Sequence, residues 1–125
     1  MRNMSFSLTT PQFIDGSKDV TRRLGWDFLK VGDRLTACEK CQGIQKGGLV
    51  RLGEIEVLHV SRQPLSVMRD FSKWGQEEAK REGFPEMSGE EFVKFFCREM
   101  KCEPSKIITR IEFRKADYKT PENEA

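Results

Sequence analysis

The chain has 125 residues, 37% of them hydrophobic, and 22 Lys and Arg stand against 20 Asp and Glu for a net charge of +2. That length fits one domain with one small core, and nine Phe and two Trp exclude a disordered chain. No apolar run is long enough to cross a bilayer and nothing reads as a signal peptide, so membrane partners and secretion are set aside and a cytoplasmic location is expected.

Met4 to Thr9 alternates apolar and polar residues, the period of a half-buried strand. Thr10-Pro11 reads as an N-cap followed by proline at the first helical position, opening a short turn of helix that Gly16 stops. Val20 to Leu24 can be extended. Lys30 to Asp33 reads as a turn, Arg34 to Glu39 as a strand, and Gln42 to Gly48, with three glycines, as an exposed loop. Leu49 to Val60 is the longest β-like stretch, bent at Gly53, with Ile55, Val57 and Leu52 as core candidates. Leu65 to Glu82 predicts one helix ending at Gly83, and Phe84-Pro85 a corner. Ser88 with Glu91 three residues on forms a capping box. The helix it opens carries Phe92, Phe95, Phe96 and Met100 as one stripe aimed at the core. Ile107 to Phe113 closes the domain as a strand, with Ile107, Thr109, Ile111 and Phe113 on one face, and the tail from Ala116 is polar. Strands, then two inserted helices, then a strand give an α+β class with a closed or nearly closed small sheet, one domain over residues 1–125 with its core in roughly 4–114.

The four cysteines do not make a convincing metal set. Cys38 and Cys41 have the spacing of half a zinc site, whereas Cys97 and Cys102 are more widely spaced and fall on an apolar helical pattern. Free thiols are expected, and no cofactor is implied. The one histidine, His59, lies in a strand-like run as a partly buried sheet residue, and no motif sets a nucleophile beside it.

Chemistry concentrates between Asp15 and Trp26. Lys18, Arg22 and Arg23 place three cations within six residues, Thr21 supplies a hydroxyl among them, and Trp26 a flat face. In an extended chain Val20 and Arg22 share a face, which would force an arginine inward unless a bulge intervenes. Residues 18–51 hold eight basic and four acidic residues, whereas residues 69–103 hold seven and nine. A basic face attracts phosphate and an aromatic can stack on a base, so RNA or a nucleotide is an expected partner. Trp26 after a glycine, and Trp74 in the first long helix, also suit packing.

Gly16-Ser17-Lys18-Asp19-Val20-Thr21-Arg22-Arg23 resembles the Gly-x-Lys-x-x-Thr-x-Arg signature of the ASCH family, in the PUA-like superfamily. The elements that follow also match in order, over roughly residues 4–114. The resemblance implies a small PUA-like β-barrel with flanking helices and a cleft lined by the Lys/Thr/Arg segment, in a family with RNA- and nucleotide-related roles. Smaller bacterial members hydrolyse the N4-acetyl group of acetylcytidine with a Lys, a Thr and a Glu. By motif position these fall on Lys18, Thr21 and Glu82, while Arg23 matches the closing arginine. This chain differs from them in an insert around Gln42 to Leu49 and in charged residues at Asp19 and Arg22. Three readings follow. One is a nucleotide- or RNA-binding module gripping its ligand with Lys18, Arg22, Arg23 and Trp26. The second is an amidohydrolase with Thr21 as nucleophile, Lys18 as base and Glu82 moving the proton. The third is a ribonuclease with Lys18 and Arg23 facing a pentavalent phosphate.

Overall fold

In a computed structural model, residues 1–40 and 50–116 are described. Five strands, β1 (Asn3–Ser5), β2 (Val20–Arg23), β3 (Arg34–Cys38), β4 (Arg51–Pro64) and β5 (Ile107–Ala116), form one mixed sheet in the order β1-β3-β4-β5-β2. Among the described residues four α-helices accompany it: α1 (Thr10–Asp15), α2 (Val67–Asp70), α3 (Ser72–Arg81) and α4 (Gly89–Met100). Among the described residues no helix is long and apolar enough to cross a membrane.

The α+β class holds, but the expected β-barrel does not form. The sheet is open, with β1 and β2 as its two edges. Both are short, three and four residues, and each is committed on one side only: β1 parallel to β3, β2 antiparallel to β5. Where a closing ladder would run, Arg23 spans the gap instead, its guanidinium donating to the Ser5 carbonyl at 2.7 Å.

Several local expectations shift for identifiable reasons. The strand expected over Met4 to Thr9 stops at Ser5, because Thr9 N–H turns back to the Phe6 carbonyl and residues Ser7–Thr9 wind into a 3-10 turn. The first helix therefore has Thr9 rather than Thr10 at its N-cap position, without a side-chain capping bond, and the Thr10 hydroxyl donates to the Phe6 carbonyl. The helix expected from Leu65 to Glu82 is two, broken at Phe71, where φ −112° and ψ 80° leave helical geometry. β4 runs past Val60 to Pro64, and His59 is exposed beside an irregularity in its pairing with β5. β5 is buried on both faces from Ile108 to Ile111, not on one. The loop expected at Gln42 to Gly48 and most of the polar tail lie outside the described residues. Ser88 and Glu91 form the capping box as read, with reciprocal bonds of 3.1 and 2.8 Å.

Two apolar clusters flank the sheet. Phe6, Phe13, Leu35, Ile55, Val57, Ile111 and Phe113 pack on the α1 side. Leu65, Met68, Ala79, Phe92, Val93, Phe96 and Ile108 bind α2, α3 and α4 to the other end. The second cluster depends on close backbone contact. Gly75 of α3 and Gly89 of α4 meet around the Met68 carbonyl, and a Cβ at Gly75 would lie 1.8 Å from that oxygen. Since the obstacle is backbone, it cannot swing aside. Gly75→Ala is expected to cost about 3 kcal/mol or more by forcing α3 off the α2 backbone at Met68 and off α4. An unchanged urea midpoint would show that the contact can relax.

Candidate functional site

Arg23 crosses the open seam of the sheet at the mouth of a cavity of about 220 Å³. It is lined by Ser5 at the end of β1 and the residues after it to Thr9, by Lys18, Thr21, Arg22 and Arg23 of the β2 region, and by Glu82. Phe84, Phe92, Phe95, Phe96 and Met100 complete the wall. The aromatic stripe of α4 thus has a second use besides the core: Phe92 and Phe96 are buried, while Phe95 and Met100 are more open. Gly83 makes this possible. Its φ of +107° turns the chain sharply after Glu82, so Phe84 comes back against Phe92 and Phe95.

β2 pairs with β5 without a bulge, so Arg22 does go inward beside Val20. Its guanidinium donates to Glu82 Oε2 at 3.1 Å, to Glu78 Oε1 at 2.6 Å and to Gln63 Oε1 at 3.1 Å. The Trp74 ring lies 5.6 Å from its central carbon. Directly opposite Arg22 on β5 stands a second arginine, Arg110. Two facing arginines would repel, but Glu78 takes Arg110 Nε at 2.7 Å and Nη2 at 3.1 Å on the same carboxylate. Burial alone would raise the Glu78 pKa, yet the bonds from Arg110 and Arg22 outweigh it and hold the carboxyl below its ordinary range. Gln63, Glu78 and Arg110 were not singled out in the sequence. The available signal was Glu78 and Glu82, one helical turn apart on the face that carries Gly75 and Ala79 inward.

Lys18 is as deeply buried as Arg22. Its Nζ donates to the Val20 carbonyl at 3.0 Å, the Glu82 carbonyl at 2.7 Å and Glu82 Oε1 at 3.1 Å. Desolvation is the largest influence on its pKa and lowers it. Glu82 pulls in the other direction, Arg23 and Arg22 add to the lowering, and the net position is below the ordinary 10.5. Charge counting agrees. The buried ionisable groups Lys18, Arg22, Arg110, Glu78 and Glu82 carry one excess positive charge when Lys18 is protonated and balance when it is neutral.

Thr21 is buried, and its Oγ1 accepts from Arg23 Nε at 2.9 Å. Arg23 also lies over the Phe6 ring, 5.0 Å from its centroid. Lys18, Thr21, Arg22, Arg23 and Glu82 therefore share one cavity, whereas Trp26 does not line it. Trp26 packs on the α1-side cluster with Phe28 5.5 Å away. Asp19 faces outward and forms a two-pronged pair with Arg81, both bonds 3.0 Å, and Arg81 also reaches Glu112. Asp19, just before β2, and Arg22 within it thus both tie this edge of the sheet to α3.

Cys38 is buried in β3, Cys97 and Cys102 sit at the end of α4, and Cys41 lies outside the described residues. Among the described residues no three His, Cys, Asp or Glu side chains gather as a metal site would require.

Comparison with known proteins adds the fold alone. No family model and no curated protein matches the chain. Among solved structures, the crystal structure of protein EF3133 from Enterococcus faecalis V583, described under the family model DUF984, is similar with a TM-score of 0.56 and 19% identity. The match covers 91% of this chain and 73% of that one.

Proposed function

We propose that the chain is an ASCH-type domain whose cavity takes a nucleobase-sized ligand and hydrolyses an amide on it, the substrate class being an N4-acetylated cytidine-type nucleoside. The observation that carries this reading is the convergence of Lys18, Thr21 and Glu82 on one aromatic-walled cavity. Its volume is below the roughly 300–1,000 Å³ of drug-sized pockets, which suits one planar ring with a small substituent. Phe84, Phe92 and Phe95 offer faces for that ring.

In this reading Lys18 first loses one of the three protons it donates to the Val20 and Glu82 carbonyls and Glu82 Oε1, and the amine so freed takes the hydroxyl proton as Thr21 Oγ1 attacks the acetyl carbonyl. Arg23, already donating to Oγ1, stabilises the alkoxide as it forms. The proton crosses the Lys18–Glu82 contact to the departing exocyclic amine. Water then cleaves the acetyl-threonine ester, releasing acetate.

A phosphate-gripping RNA module and a ribonuclease are less well supported. Lys18, which both would need, and Arg22, which the RNA module would need, are buried and already bonded to carbonyls and carboxylates. A second reading, binding of a nucleobase without turnover, is favoured by one observation: the three acceptors around Lys18 Nζ do not include Thr21.

Incubating the purified protein with N4-acetylcytidine separates the two. The hydrolase reading expects stoichiometric acetate and cytidine. Saturable binding with no acetate would leave the binding reading, and neither would remove both. The hydrolase also has a defined pH dependence. A base that must be neutral is inactive while protonated, so kcat/KM should rise with pH through an apparent pKa below 10.5. A rate that falls over that interval in a stably folded protein would exclude Lys18 as base.

A further inference from the structure

We infer that Glu78 and Arg110 are positioning residues that set the proton affinity of Lys18, acting through Arg22 on Glu82. Neither lines the cavity; the route is a continuous chain of short charged bonds. Arg110 holds both oxygens of Glu78. Glu78 Oε1 holds Arg22 at 2.6 Å, and the same guanidinium reaches Glu82 Oε2 at 3.1 Å. Glu82 Oε1 faces Lys18 Nζ at 3.1 Å. Glu82 is thus divided between a lysine and an arginine, and that arginine is itself divided between two glutamates.

The division has a sign. When Arg22 leans toward Glu82, less negative potential remains for the Lys18 ammonium, and the neutral amine is favoured. When Glu78 draws Arg22 away, Glu82 turns its charge on Lys18 and the ammonium is favoured. Arg110 moderates that draw by occupying Glu78. Direct electrostatics acts in the same sense, because Glu78 adds a negative and Arg110 a positive charge to the buried cluster. The charged groups acting on Lys18 are Glu82 after α3 and Arg22 and Arg23 of β2. Asp19 is taken up by Arg81 nearer the surface, whereas Glu112 pairs with both Arg81 and Arg110, and Arg81 also comes within 3.8 Å of Glu78 Oε2, so both groups stay in place as a fixed background in the Glu78 and Arg110 variants. The inference rests on Lys18 being the base of the proposed reaction, but its test does not need substrate.

The test is an NMR titration of the Lys18 side chain, followed at ¹³Cε in the full-length protein. Arg110→Met should raise the Lys18 midpoint, and Glu78→Gln should lower it, each by roughly half a pH unit or more. Arg110→Lys, which keeps the charge, should restore a midpoint close to wild type. If Glu78→Gln fails to fold, the two Arg110 variants decide, Arg110 lying nearer the surface. Midpoints that coincide across folded variants, or that move in the same direction for Arg110→Met and Glu78→Gln, overturn the inference. So does a Lys18 that stays protonated in every variant up to the pH of unfolding. Where acetate is released, the kcat/KM profiles should follow the same signs, which a merely structural role would not produce. Absence of acetate from wild type would sink the hydrolase reading while the shifts in the titration still decide this one.

Discussion

Replacing Glu78 by alanine is expected to destabilise the protein by about 3–5 kcal/mol, a large share of the stability of a domain this size. The reason lies in what remains. Arg22 and Arg110 are hydrogen-bond-register partners on β2 and β5, both buried, and Glu78 is the carboxylate that both share. Without it, two guanidinium ions face each other away from solvent, Arg22 keeps the Gln63 amide oxygen and the Glu82 carboxylate it shares with Lys18, and Arg110 keeps the longer pair with Glu112. Glu78→Gln, which keeps one acceptor oxygen, should be milder. The same group fixes the acid limb. Its folded pKa lies below the ordinary 4.5, so its contribution is complete above that value and is lost as pH falls through the lower, folded value. Chemical denaturation of wild type and variant at neutral pH and near pH 3 measures both effects. Equal stabilities at neutral pH would mean that the arginines are solvated in solution.

Replacing Thr21 by alanine should lower acetate release by about 10⁴-fold or more, since the reaction loses its nucleophile. The fold should survive. The lost group is one hydroxyl that accepts one bond from Arg23 Nε, and Arg23 keeps its bond to the Ser5 carbonyl. The stability cost is expected near 1 kcal/mol. Thr21→Ser retains the hydroxyl and should retain part of the turnover. A thermal melt beside the kinetic assay distinguishes a lost nucleophile from a lost fold. Turnover that persists in a folded Thr21→Ala protein would assign the attack to water, with the Lys18 and Glu82 pair as the activating groups.

The sequence revealed the elements better than it revealed their closure. Strand-like runs located β3, β5 and most of β4, and the Ser88–Glu91 capping box located α4. These signals are local and do not depend on partners. Closure of the sheet is not local. It depends on whether β1 and β2 are long enough to pair with each other, and the apparent strand from Met4 to Thr9 suggested more edge than the turn at Phe6 leaves. The break at Phe71 escaped notice because no glycine or proline marks it.

At the site, Lys18, Thr21 and Arg23 came from the signature, Glu82 from its place in the resemblance and Arg22 from the run of cations, and all five line one cavity. Trp26 was not separable from its packing role by sequence, because an aromatic after a glycine serves either purpose. Glu78 and Arg110 were illegible for a different reason. In one-dimensional sequence they are a helix acid and a strand base among many. Only the inward turn of Arg22, which strand alternation left open, creates the need for them. Asp19 was read as one charge in a basic run, and its pairing with Arg81 depends on α3 passing alongside β2.

Most directly, the account can be tested by observing where a pyrimidine nucleoside sits. NMR of the full-length protein, labelled at the methionine methyls and phenylalanine rings, would be recorded during titration with cytidine and with N4-acetylcytidine. The account predicts saturable shifts at Met100, Phe84, Phe92 and Phe95, the walls of the cavity, with Phe28 and Phe71, which do not line it, unmoved. Shifts confined to those outer rings, or none at saturating nucleoside, would contradict it.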